Sequence, residues 1–290
     1  MMDLVDQTKA SLDDPNSPLW LPGLTTTLVE WGWQRLYRRT GIIASEYGTA
    51  RVLAGNAEAP RHVVTHLSIC PGAEGIASTT LTEWLTREFA RRYQDKGLKF
   101  YAPDEIAHTT VLRCILEAIE ILAQAPTLQN TIAGLVRALH VLEPEDDDCD
   151  VSFSDPEVPF SIFVSVPQRR IPPDALRVAE SMVHEAMHLQ LTLIEQVVPL
   201  VMPTSNTYYS PWKGENRTPR GILHALYVFR VIDRFLGLLL DIPDFLNDCT
   251  DYMLGRRREI AEQIREVQSF QADGCLTAHG ARFVGRLLSE

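Results

Sequence analysis

Residues 184 to 188 read His-Glu-Ala-Met-His. On a helix, positions four apart lie one turn above each other on the same face. Two imidazoles at that spacing can share one divalent transition metal, so His184 and His188 are the expected ligands. Glu185 falls at a neighbouring azimuth, where it can serve as a general base or as a partner that orients a ligand. Met182, Val183, Met187, Leu189 and Leu191 make the segment apolar on most sides, which predicts a buried helix. Two buried imidazoles beside a carboxylate are costly unless a cation compensates them.

A metal needs a third protein ligand. A zinc protease of the metzincin type continues the motif with glycine and histidine, and here those places hold Leu191 and Ile194, which excludes that class. A thermolysin-like protease draws on a later glutamate; Glu195 and Glu215 are candidates, but neither lies in a recognisable downstream motif. The better candidate is His224, flanked by Leu223, Leu226 and Tyr227 in the next long apolar segment. Between the histidines lies Thr207-Tyr208-Tyr209-Ser210-Pro211-Trp212-Lys213, followed by Arg217 and Arg220. Tyr208, Tyr209, Trp212 and Lys213 are expected to wall a substrate pocket. Arg217 or Arg220 can grip a small carboxylate through two parallel hydrogen bonds.

The elements that must carry these residues are mainly helical. Asp174 after Pro172-Pro173 predicts a helix start, and Pro199 a stop, so the His-Glu helix spans about 174–198. A second long helix is expected from near Pro219 to about Leu240. Residues 151–166 alternate small polar and bulky side chains and predict two short strands, a β-hairpin preceding the metal-binding helix. Upstream, helical spacing is read at 25–39, 78–96, 103–123 from Pro103-Asp104, and 127–142; downstream, at 243–272 and 276–289. The expected architecture is a helical bundle with that small hairpin. It forms a single catalytic unit over 1–290, with a helical half, 1–142, and a metal-binding half, 151–290.

Composition narrows the partners. The net charge of −11, from 27 basic and 38 acidic side chains, disfavours nucleic acid and anionic membranes. The Arg256-Arg257-Arg258 run has acidic neighbours and reads as a solvated helix face. The acidic run from Glu143 to Asp150 lacks the spacing and glycine of a calcium loop. Cys70, Cys114, Cys149, Cys249 and Cys275 are odd in number and form no Cys-x-x-Cys pair, so neither a disulfide framework nor a thiolate metal site is expected. With no secretory signal pattern and no apolar stretch long enough for a membrane span, the expected setting is cytoplasmic.

The segment from Ala175-Leu176 through Met182-Val183-His184-Glu185 and His188-Leu189 resembles the HEXXH motif domain family, which occurs beside ribosomally made, modified peptides. Tyr208-Tyr209-Ser210-Pro211-Trp212-Lys213, Arg217, and Gly221-Ile222-Leu223-His224 with Tyr227 and Phe229 carry the same resemblance, as do Val151-Ser152-Phe153-Ser154 and Phe163-Val164-Ser165. It covers roughly residues 150–235. Lys213 departs from it, standing where arginine is common. The resemblance implies an iron(II)- and 2-oxoglutarate-dependent oxygenase, a dioxygenase that uses O₂ to hydroxylate the β-carbon of a residue in a precursor peptide. It implies His184, His188 and His224 as ligands and makes Arg217 a 2-oxoglutarate partner, with Arg220 the alternative. The residues alone leave two rivals open: a zinc metallopeptidase with Glu185 as base, and a non-catalytic, metal-stabilised peptide-binding protein.

Overall fold

The computed structural model describes residues 3–40, 65–68, 79–82, 87–101, 105–106, 109–146, 150–155 and 160–289. The chain is mainly helical with a small sheet. It divides into two compact units, Met1–Leu28 with Gln190–Glu290, and Val29–Leu189.

In the Val29–Leu189 unit the centre is a six-stranded sheet. Its strands are β1 (Thr65–Ser68), β2 (Thr79–Thr82), β3 (Lys99–Phe100), β4 (Ala138–Glu143), β5 (Ser152–Phe153) and β6 (Ser161–Ser165). The order is β1-β2-β4-β6-β5, with β3 on β4. β4 and β6 run parallel, with Ala138 opposite Ser161 and Leu142 opposite Ser165. The five β6 residues and the first five of β4 are all buried, as strands covered on both faces must be. Tyr93, Leu142 and Phe163 form one core cluster, with Phe100, Val151 and Phe153 packed on it.

Here the structure departs from the sequence-based expectation. Residues 127–142 were expected as one helix, whereas a helix ends at Leu135 and β4 begins at Ala138. A short, continuously apolar run fits a buried strand as well as a helix, and only the parallel pairing decides. Residues 78–96 likewise split into β2, built on three threonines, and a helix over Arg87–Gln94. The expected strands in 151–166 are β5 and β6, paired antiparallel with Ser152 opposite Val164 and Phe153 opposite Phe163. The expected helix start at Pro103-Asp104, Cys70, and residues 147–149 of the acidic run with Cys149 lie outside the described residues.

The His-Glu helix, α6 when the helices are counted in chain order, runs Pro173–Val197. Its start is secured by Pro173 and by Asp174, whose carboxylate accepts from the amide of Ile171 at 3.1 Å. Helix α7, Pro219–Leu240, opens as its sequence suggests. Thr218 is the N-cap and its hydroxyl accepts from the amide of Gly221 at 3.2 Å, with Pro219 in the first turn.

In the other unit the aromatic loop is itself a hairpin, Tyr208–Ser210 paired with Glu215–Arg217. Its turn closes on the Ser210 carbonyl, which accepts from Lys213 at 3.1 Å and from Gly214 at 2.8 Å. Gly214 has φ +65°, a conformation that favours glycine. Expected helix 243–272 begins later, at Thr250, because Asp244 and Leu246 take left-handed backbone angles that end regular structure. The last helix, α9, spans Ala278–Ser289. Among the described residues no helix is long and apolar enough to cross a membrane.

Candidate metal centre

Val183, Ala186, Met187 and Leu191 are fully buried on α6, so the helix is held on its apolar faces and its polar turn is fixed. On that turn the Nε2 atoms of His184 and His188 stand 3.1 Å apart, with the rings edge to face. That separation is what two nitrogens show when each lies about 2.1 Å from one shared ion. The donor pair therefore fits a divalent cation. Glu185, only 2% exposed, turns toward the sheet, where the hydroxyl of Ser152 donates to its Oε1 at 2.8 Å. The same oxygen lies 3.8 Å from His184 Nε2.

His224 is placed by α7 in the other unit. It is buried, and its Nε2 lies 2.9 Å from Oε2 of Glu195. Arg220 donates to that same oxygen at 2.7 Å and reaches Thr192 at 3.4 Å. Burial works to raise the Glu195 pKa, but hydrogen bonding and charge from His224 and Arg220 outweigh it and hold the carboxyl below its ordinary value. Arg217 pairs with Glu215, two residues back on the same strand, at 2.8 Å, both about half exposed. Trp212 lies flat against Phe229 at 5.5 Å, and Tyr208 meets Phe270 edge-on at 5.4 Å. Tyr209 is 54% exposed and Lys213 is exposed at the hairpin turn.

Two of the three expected ligands, His184 and His188, thus meet each other, while His224 meets Glu195. Among the described residues no group of three His, Cys, Asp or Glu side chains is assembled as a metal ligand set. Cys114, Cys249 and Cys275 are free and buried.

Sequence reasoning singled out neither Ser152 as the partner of Glu185 nor Glu195 as the partner of His224. Ser152 sits 33 residues before Glu185 and shares no periodicity with it. Glu195 was visible only as a possible protease ligand. No protein-family model matches the chain, and no curated protein matches it in sequence.

Proposed function

We propose that this protein is an iron(II)- and 2-oxoglutarate-dependent oxygenase that hydroxylates the β-carbon of a residue in a ribosomally made peptide. The observation that carries the reading is the approach of His184 and His188 through like nitrogens, 3.1 Å apart, beside a buried carboxylate. In this reading His184 and His188 hold the ion, with His224 as third ligand. Bound iron supplies the oxidation that consumes 2-oxoglutarate and O₂.

The remaining tasks fall to the chain. Arg217 is assigned to the free carboxylate of 2-oxoglutarate. Its bond to Glu215 is exposed and exchanges at little cost, whereas Arg220 shares Glu195 with His224. Tyr209 is the aromatic group of the hairpin with a face open to a peptide. Enclosed and bonded to Ser152, Glu185 suits a carboxylate held for positioning better than a base exchanging protons with water, which favours an oxygenase over a peptidase.

The test needs no peptide. Under anaerobic conditions the Fe(II)-loaded protein is expected to develop a charge-transfer absorption band on addition of 2-oxoglutarate, and to release succinate when air is admitted. His184→Ala and His188→Ala abolish the band, while Arg217→Ala shifts it to roughly tenfold higher 2-oxoglutarate. Absence of the band and of succinate overturns the proposal. Zinc-dependent peptide cleavage lost in Glu185→Gln would install the peptidase in its place.

A further inference from the structure

Glu185 is held from a strand, and that strand is pinned on both sides of the contact. One residue before Ser152, the Val151 carbonyl accepts from the Ser165 amide at 2.8 Å, and the Val151 amide donates to the Ser165 hydroxyl at 2.8 Å. One residue after, Phe153 stacks on Phe163 with centroids 4.4 Å apart and planes 9° from parallel, and lies 5.6 Å from Tyr93. Side chains alternate along a strand, so an anchored Phe153 on the aromatic side directs Ser152 to the other, where Glu185 stands. The serine hydroxyl has one proton to give, and Glu185 Oε1 receives it.

We propose that Ser152 is a positioning residue of the metal centre, fixing the Glu185 carboxylate and through it the environment of the nitrogen with which His184 binds the ion. The inference rests on the metal-binding reading above. The oxygen that Ser152 holds is the one 3.8 Å from His184 Nε2. An ion on that nitrogen feels this carboxylate at short range in a poorly solvated setting, where charge interactions are strong. Losing the hydroxyl removes one hold on the carboxylate, which alters the field at the ion. A direct hydrogen-bond partner of a ligand typically changes metal affinity about 10–100-fold, and Ser152 acts one contact further out, at the low end of that range.

Co(II) is the probe, because its visible ligand-field bands report the ligand environment without turnover. The full-length protein, Ser152→Ala, Ser152→Thr, Glu185→Gln and the double variant Ser152→Ala/Glu185→Gln are titrated with Co(II) against a chelator. Metal-free melting is recorded alongside. Ser152→Ala is expected to weaken Co(II) binding about tenfold and to shift the bands. Ser152→Thr, which keeps the hydroxyl, restores both. In the Glu185→Gln background the serine substitution adds nothing further. Ser152→Cys, close in size and a weaker donor, falls between and gives the same reading without a cavity. Wild-type affinity and bands in Ser152→Ala overturn the proposal, even with a lowered melting temperature, as does an undiminished serine effect in the Glu185→Gln background. A wild-type protein that takes up no Co(II) overturns the metal-binding reading and this inference with it.

Discussion

Helix α6 carries two polar groupings with opposite chemistry. At His184 and His188, like nitrogens face each other at 3.1 Å, an arrangement that one shared cation explains. At Glu195, unlike groups meet: one carboxylate oxygen receives His224 at 2.9 Å and Arg220 at 2.7 Å. The second grouping is a closed set of donors around an acceptor. The first is two like nitrogens side by side, which approach either through a hydrogen bond between unlike tautomers or around one shared cation. On the proposed reading the first grouping binds the ion through both its members, while the second holds His224 by a carboxylate.

Two substitutions break this comparison open, and they carry the largest expected effects. His188→Ala is expected to reduce metal uptake at least about 100-fold while changing metal-free stability by less than about 1 kcal/mol, because it removes a half-buried ring without stranding a charge. Glu195→Ala is expected to do the reverse. It leaves a buried His224 and a guanidinium without their acceptor, at about 2 kcal/mol, and weakens metal uptake only about tenfold by loosening His224. Chemical denaturation of metal-free protein and chelator competition read the two effects separately. Equal losses of stability in both variants would show that the groupings do not differ.

What was legible in the sequence follows the same division. The helix boundaries at Pro173 and Pro219 were readable because proline and the flanking Asp174 and Thr218 act locally on the first turn. The His184/His188 pair was readable because both residues lie on that one helix. β4 was not, because Ala138–Leu142 looks the same in a helix and in a strand until β6 pairs with it. Ser152 and Glu185, like Glu195 and His224, are joined by bonds spanning about thirty residues, and no local pattern encodes such a pairing.

A third polar network tests how far the closed type of grouping stabilises the chain. Tyr227 donates to Gln190 Oε1 at 2.5 Å, and Gln190 donates to the Trp20 carbonyl at 2.8 Å and to the Thr25 hydroxyl at 3.3 Å. Tyr227 and Gln190 are fully buried, and burial raises the tyrosine pKa so that the phenol stays protonated as donor. Tyr227→Phe strands the amide oxygen and is expected to cost about 1–3 kcal/mol. Because this network holds no metal ligand, metal affinity should not move; a changed affinity would tie it to the metal centre.

The smallest expected effect is at the surface, where Asp13 at the end of the first helix (Leu4–Asp13) meets Arg282 of α9 through two hydrogen bonds of 2.9 Å, with His279 at 3.5 Å. The hydrogen bond from Arg282, opposed by partial burial and helped by the charges of Arg282 and His279, lowers the Asp13 pKa below its ordinary 3.8. A carboxyl depressed on folding stabilises the native state above its unfolded pKa and loses that contribution as pH falls through its folded value. Asp13→Asn should therefore melt slightly below wild type at neutral pH. The gap should stay constant down to about pH 4, close at lower pH as Asp13 is protonated, and shrink in high salt because the pair is exposed. Melting curves across that range decide it. A gap that persists below the folded pKa would mean that Asp13 acts through packing rather than charge. The contrast with Glu195, itself enclosed and bonded to the buried His224, would then rest on something other than solvent exposure.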